Sequence, residues 1–210
     1  MKNTRISSLF LFVMFFAVAG FTSCEKSDED ILQDPVLSLT EDEKTNLLFM
    51  REEEKMARDV YLNLYDKYEL PIFSNIASSE QTHMDAVLTH LVKYGLTDPA
   101  SNELGVFTNT TLQQLYNDLI AQGDASLTAA LTVGTTIEDV DIRDLNDAIK
   151  ATTKTDLIKM YEMLECGSRN HMRAFTKQLE MQGEAYTAQF ITQDMYNQII
   201  NGTHESCGGN

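Results

Sequence analysis

The stretch SSEQTHMDAVLTHL, residues 78–91, reads as a helix, yet it sets Glu80 and His83 where an apolar face should be. Residues three apart on a helix share one side, so this carboxylate and this imidazole point the same way. Three other segments repeat the pattern: Glu54 follows two acids in REEEK, Glu138 and Asp141 lie in TIEDVDI, and His171 lies in SRNHMRAF. A buried carboxylate without compensation costs several kcal/mol or takes up a proton. Four acids and two imidazoles that converge make sense around a cation. Their mixture of oxygen and nitrogen donors suits iron, manganese or zinc better than magnesium or calcium.

The elements that must position these residues are helices. Thr40 and Glu43 form a capping box that starts a first helix, which runs to about Glu69 and is stopped by Pro71. A second runs from about Phe73 to Tyr94 and ends at Gly95. The loop LTDPASNELGVF follows, then a short helix from about Thr111 to Ala121. Long helices from about Ser126 to Ala151 and from Thr155 to Gly183 come next, and TQDMYNQII closes the chain with a helical turn or two. Strand alternation is nearly absent. The expected fold is all-α: a four-helix bundle with one long crossover that carries a short extra helix.

At about 100° per residue each long helix unrolls into an apolar stripe. Leu47, Met50, Ala57 and Tyr61 share the first stripe, and Glu54 falls among them. Glu52 falls opposite and Glu53 towards the edge, so Glu54 is the acid of this run expected to point inward. Glu80 is central on the second stripe and His83 at its edge, Glu138 and Asp141 lie within the third, and Ser168 and His171 within the fourth.

The ends and the composition bound the rest. Lys2 and Arg5 precede the apolar run ISSLFLFVMFFAVAGF, which is the order of a secretory signal. Cys24 follows FTS, an arrangement that resembles a bacterial lipoprotein box, with Cys24 as the lipid attachment site. Residues 1–23 are then a signal peptide, 24–38 a flexible acidic tether, 39–200 the bundle and 201–210 a flexible tail. Such a protein is exported and lipid-anchored, at the outer membrane and exposed at the surface, with the membrane as partner through Cys24. Loss of Lys2 and Arg5 takes the formal charge from −16 to −18, which argues against nucleic acid as a partner. An exported chain permits a disulfide between Cys166 and Cys207. His204, Glu205 and Cys207 carry ligand types too, but a frayed tail is the simpler reading.

These residues resemble a known group. Ferritin-like di-iron bundles place one Glu on each of two helices and Glu-x-x-His on the other two. EKMARDVY (Glu54–Tyr61) resembles the first helix of rubrerythrins, Glu80 to His83 supplies one Glu-x-x-His, Glu138 the third-helix acid, and SRNHMRAF resembles the last helix. Four blocks in order, MREEEKMARDVYLNLYDKY, PIFSNIASSEQTHMDAV, LTVGTTIEDVDIRDL and GSRNHMRAF, are similar to the ferritin-like family called domain of unknown function 2202. The departure is Ser168, which stands where a symmetric site has its fourth carboxylate. Asp141, one turn beyond Glu138, is the candidate replacement.

The resemblance implies a metal set of Glu54, Glu80, His83, Glu138, Asp141 and His171. The expected cofactor is iron as two ions, with one ion, manganese or zinc as alternatives. Peroxide or O₂ reduction, or ferrous oxidation, are the implied reactions, with Tyr61 as a hydrogen-bonding or electron-donating neighbour. The sequence carries no CxxC pair of a built-in electron-transfer module, so the electron donor is a separate, unknown partner. A surface-anchored structural or binding module with one metal, or none, is the reading from another class. A homodimer stays open.

Overall fold

The computed structural model describes residues 38–208. The expected signal peptide, the lipid attachment site at Cys24 and nearly all of the acidic tether lie outside the described residues. Six helices form the described chain: α1 (Glu41–Tyr68), α2 (Pro71–Lys93), α3 (Thr110–Gly123), α4 (Leu127–Lys150), α5 (Thr155–Met181) and α6 (Gln193–Ile200). Among the described residues there is no strand, and no helix is long and apolar enough to cross a membrane.

Local chemistry sets the helix ends. Thr40 accepts from the Glu43 amide while the Glu43 carboxylate accepts from the Thr40 amide at 2.8 Å, a complete capping box. Glu69 takes a left-handed conformation (φ 51°) and closes α1 by donating its amide to Tyr65. Pro71 then opens α2 at its first turn, where a missing N–H costs nothing. The two-residue turn packs α1 against α2 as a hairpin. α4 and α5 form a second hairpin, and α3 crosses over to pack on α1 and α4. The fold is thus an all-α bundle of four long helices with one long crossover.

The apolar core is split in two along the bundle. One cluster joins Val60 and Tyr61 of α1, Phe73 and Ile76 of α2, Leu131 and Val133 of α4, and Phe175 and Leu179 of α5. The other joins Leu47 and Met50, Val87 and Leu91, Leu145, and Leu157 and Leu164 of the same four helices. On α1, α2 and α5 the metal-ligand candidates fall between these two sets, and on α4 Glu138 and Asp141 lie between Val133 of the first and Leu145 of the second, with Ile137 and Ile142 of the first beside them. The bundle therefore encloses one polar layer between two apolar ones.

A second face of α1 is also buried, because the crossover runs over it. The acidic run is distributed accordingly, and the expectation that only Glu54 turns inward is corrected: Glu52, Glu53 and Glu54 are all buried. Glu52 accepts from the amides of Thr108 at 2.6 Å and Asn109 at 2.9 Å, just ahead of α3. Arg51 binds Asp98 through two nitrogens and the Met84 carbonyl through a third. Lys55, wholly buried, donates to Asp59 at 2.5 Å and to the Glu103 carbonyl at 2.9 Å, with its ammonium 4.4 Å from the centre of the Phe107 ring. Asp59 also accepts from Arg58 and from the Gly105 amide. Four charged side chains of α1 thus clamp the crossover.

The chain after α5 is held as firmly. Asp139 of α4 accepts from the Tyr186 hydroxyl and the amides of Gln189, Phe190 and Ile191. Residues 201–208, expected as a flexible tail, lie against α5. Glu205 pairs with Arg169 and Arg173, and Cys207 is bonded to Cys166, closing a loop of sequence separation 41.

The clamp yields a first prediction. Asp59→Ala leaves the Lys55 ammonium buried without its carboxylate, which costs about 3–5 kcal/mol. Urea unfolding of the variant beside the parent measures this; a loss below about 1 kcal/mol, the level of an exposed pair, would contradict the clamp.

Candidate metal centre

Glu54, Glu80, His83, Glu138, Asp141 and His171 all point into the polar layer, and each is buried. Glu80 lies at its middle. One of its oxygens is 2.7 Å from Nδ1 of His83, and the other is 2.9 Å from Nδ1 of His171. Glu54 approaches the same His83 nitrogen at 3.2 Å, and Glu138 the same His171 nitrogen at 3.4 Å. Two groups of ligand atoms result, Glu54 with Glu80 and His83, and Glu80 with Glu138 and His171. Within each, the atoms lie within 4.8 Å of one another. The two groups share Glu80, and the two imidazoles stack with ring centres 5.6 Å apart.

Several of these atoms face the middle without pairing. Oε1 of Glu54 and Oδ1 of Asp141 are buried and have no hydrogen-bond partner. Nδ1 of His171 is close to Glu80 but makes no well-directed hydrogen bond with it. Donor atoms that aim at a common point rather than at each other are what a cation site requires, and native proteins rarely leave such groups unmet. The residues present therefore fit a metal, with acidic and histidine groups able to bind one.

The next layer fixes these side chains. Nε2 of His171 meets the Ser79 hydroxyl at 2.9 Å, so a proton on Nε2 leaves Nδ1 turned to the carboxylates. The Tyr61 hydroxyl donates to Glu138 at 2.5 Å and lies 3.3 Å from the Gly134 carbonyl. Gly167 gives His83 its room: a Cβ there would overlap Nε2 of the ring. Gly134 does the same for Phe175, which a Cβ would meet at 2.6 Å.

Asp141 is set apart from the two groups. Its Oδ2 accepts a very short hydrogen bond from Ser168, whose hydroxyl also lies 3.0 Å from the Leu164 carbonyl. Serine and aspartate from neighbouring helices thus occupy the place where the resemblance implies a carboxylate on α5.

Electrostatics show the strain of collecting these charges without a cation. Burial pushes the Glu54 carboxyl up to about 7, despite the opposing pull of His83. Burial raises Glu138 and Asp141 as well, with the neighbouring carboxylates adding to it. Burial acts the same way on Glu80, but the two imidazoles beside it win and hold it low. Burial would lower the imidazoles. The flanking glutamates instead raise His83, and raise His171 to about 10.

The centre opens sideways between α2 and α5. A cleft of about 300 Å³ there is lined by His83, Gly167 and His171 together with His204, Glu205 and Cys207 of the tail. The tail residues with ligand-type side chains thus stand at the mouth, with Cys207 taken up by the disulfide.

A family model described as an uncharacterized protein domain, DUF2202, matches residues 43–203. The chain belongs to this family. It is 51% identical over 172 residues to the uncharacterized protein MJ0754 of Methanocaldococcus jannaschii, covering 81% of this chain and 93% of that protein. It also matches the crystal structure of hypothetical protein MJ0754 from Methanococcus jannaschii, with a TM-score of 0.79 at 51% identity, over 80% of this chain and 97% of that one. The DUF2202 match spans all six residues of the centre and the clamp that holds the crossover to α1.

Glu53 is the residue near the centre that the helical stripes misplace. It sits on α1 beside Asp141 and Asp144 of α4, both its oxygens are buried without a partner, and burial raises its carboxyl well above the usual range. A single apolar stripe gave no signal for it. The one available signal was a run of three consecutive acids, more than a helix needs on one exposed side.

The close approach at Gly167 gives a second prediction. Gly167→Ala forces His83 or α5 to shift and destabilises the DUF2202 fold by about 1–3 kcal/mol, as overpacking does. Gly208→Ala, where a Cβ meets nothing, is the control and leaves the denaturation midpoint in place.

Proposed function

We propose that this protein is a di-metal carboxylate protein, with iron as its natural metal, that reduces peroxide or O₂ or oxidises ferrous iron. The observation that carries the reading is Glu80, whose two oxygens are divided between two histidines and two ligand groups. Glu54, Glu80 and His83 would hold one cation, and Glu80, Glu138 and His171 the other. The carboxylates of Glu54, Glu80, Glu138 and Asp141 offer four negative charges, which two divalent cations balance. Glu54, Glu138 and the Glu80/His83 pair match three of the four helices of a ferritin-like di-iron bundle, and on the fourth His171 is present while Ser168 replaces the carboxylate.

Two ferrous ions held by these residues would supply the two electrons that, with two protons, take peroxide to two waters. The chain's own residues do the rest. Tyr61 holds Glu138 by its hydroxyl and stays neutral, because burial and Glu138 raise its phenol well above the ordinary value. Ser79 holds Nε2 of His171 and so orients the ring with Nδ1 toward the carboxylates. The two apolar clusters exclude water from both ends of the layer, leaving the cleft between α2 and α5 as a side entrance for a small oxidant. The electrons are restored by a separate donor. Lipidation at Cys24 would fix this chemistry to the outer membrane, on the tether that precedes α1.

One observation favours a second reading. Ser168 holds Asp141 by a hydrogen bond, which leaves the His171 side one carboxylate short of a symmetric centre. A bundle with one tight cation and a structural role would follow from that.

Anaerobic titration of the full chain with ferrous iron separates the readings. The di-metal centre predicts two ions per chain, an oxidised di-iron absorption on adding peroxide, and loss of both ions in Glu80→Ala. One ion and no absorption would favour the structural module; fewer than one would sink both. The pH dependence has a definite sign. His171 is protonated up to about pH 10 in the metal-free centre and Glu54 up to about 7, so binding must expel protons. Calorimetry in buffers of different ionisation enthalpy should show net proton release and an affinity that rises from pH 6 to 8; affinity that falls with pH would contradict the ligand set.

A further inference from the structure

A deep hollow of about 430 Å³ lies between α1 and α4, away from the cleft, and its walls include Asn46, Met50, Arg143, Asp144 and Asp147. From it an acidic ladder leads inward. α4 carries an acid at every third position, Asp147, Asp144, Asp141 and Glu138. Each step of three falls short of a full turn, so the four rungs wind about half-way round α4 while rising about 14 Å. They pass from solvent to core: side-chain exposure is 66% at Asp147 and 21% at Asp144. Residue exposure is then 5% at Asp141 and 1% at Glu138. The last rung is a ligand of the centre.

Glu53 faces this ladder from the opposite helix. Asp141 and Asp144 both add to the effect of burial in raising its carboxyl, and neither of its buried oxygens has a well-directed hydrogen bond. Oδ1 of Asp141 is likewise unpaired. The outer rungs have cationic neighbours, Arg143 on Asp144 and Lys150 on Asp147, and these side chains are 37% and 71% exposed. Both can swing away as a stronger cation arrives. Two buried carboxylates with oxygens that make no hydrogen bond thus lie near Asp144 at the hollow on one side and Glu138 of the centre on the other, with only the partly exposed Arg143 as a cationic neighbour of Glu53.

We propose that Glu53 and the ladder Asp147, Asp144 and Asp141 form a loading route, in which divalent cations enter from the hollow and are held in transit between Glu53 and Asp141 before reaching the centre. The route rests on the metal-centre reading above. It separates the traffic of the site: cations pass between α1 and α4, and small oxidants reach the cleft between α2 and α5. Glu53 acts here as a transit group and not as a ligand of the finished centre.

Anaerobic uptake of Co²⁺ by the full chain, followed by its visible absorption in stopped flow, tests this. Glu53→Gln should slow uptake by about tenfold or more, because an amide cannot give up a proton to take hold of an arriving cation as the carboxyl can. It should leave the final number of bound ions and the final spectrum unchanged. Asp147→Asn, at the exposed rim, should slow uptake less and reduce its dependence on ionic strength, and it carries the test if Glu53→Gln does not fold. Asp66→Asn, an exposed acid four turns further along α1, removes the same charge and should leave the rate alone. Unchanged rates in both route variants, equal slowing by Asp66→Asn, or an altered spectrum in Glu53→Gln would each overturn the route. If the parent chain takes up no Co²⁺, the centre itself has failed and the route with it; if it loads fully with unaltered rates, only the route has.

Discussion

The polar layer depends on Glu80 being answered from both sides. Its carboxylate is buried, and burial alone would put a proton on it. It stays ionised because His83 and His171 each turn Nδ1 toward one of its oxygens. Those two imidazoles hold Glu54 and Glu138 in turn. Remove the shared carboxylate and the two halves have no common member, leaving a pair of separate histidine–glutamate contacts. Such contacts are weak evidence of stability in a protein interior, where desolvation matches or exceeds attraction. Their persistence in one layer, between two apolar clusters that could have met, argues for a role in binding rather than in folding.

The surroundings divide the work of holding this layer. α1 brings a single ligand, Glu54, to one of the two groups, so its position must be set by something else. The clamp from Arg51, Glu52, Lys55 and Asp59 to the crossover does this on the outer face. α5 brings His171 and Ser168, and it is fixed by α6, by the Glu205 pairs and by the Cys166–Cys207 bond. The glycine beside Cys166 is the one that accommodates His83. The tail that the disulfide ties down thus also borders the cleft through which the histidines meet solvent. Fold stability and access to the centre are controlled by the same few bonds.

Much of this was legible from period and spacing. Glu80 and His83 at i and i+3, and a carboxylate or imidazole in each other apolar stripe, located the layer without coordinates. Helix ends followed from Thr40, Pro71 and the glycines. What the stripes could not show was burial from a second side. An unrolled helix has one apolar face, and α1 has two partners: the bundle and the crossover. Glu52 and Glu53 were therefore misread, the first because it caps the approach to α3, the second because it faces α4 beside the layer. The tail was misread for a related reason. Its polar residues look like solvent-exposed chain until Arg169 and Arg173, 32 or more residues earlier, supply the partners for Glu205.

The asymmetry at Ser168 changes what the centre can be, rather than whether it exists. A serine hydroxyl brings no charge, so the His171 side has only the shared Glu80 and Glu138 as anionic ligands. Asp141 restores the fourth charge to the layer but is held by Ser168 at one oxygen, with the other free. In the di-metal reading proposed above, a carboxylate tethered in this way would balance the charge of a second cation without being committed to it. Each side has two carboxylates and one histidine, but the His83 side, drawn from the two helices of one hairpin, should bind more tightly than the His171 side, which spans α2, α4 and α5. Unequal halves suit a site that fills and empties one position while the other stays occupied. This is a more economical account of Ser168 than a decayed symmetric centre, because decay would not explain why Asp141 is buried beside it with an oxygen to spare.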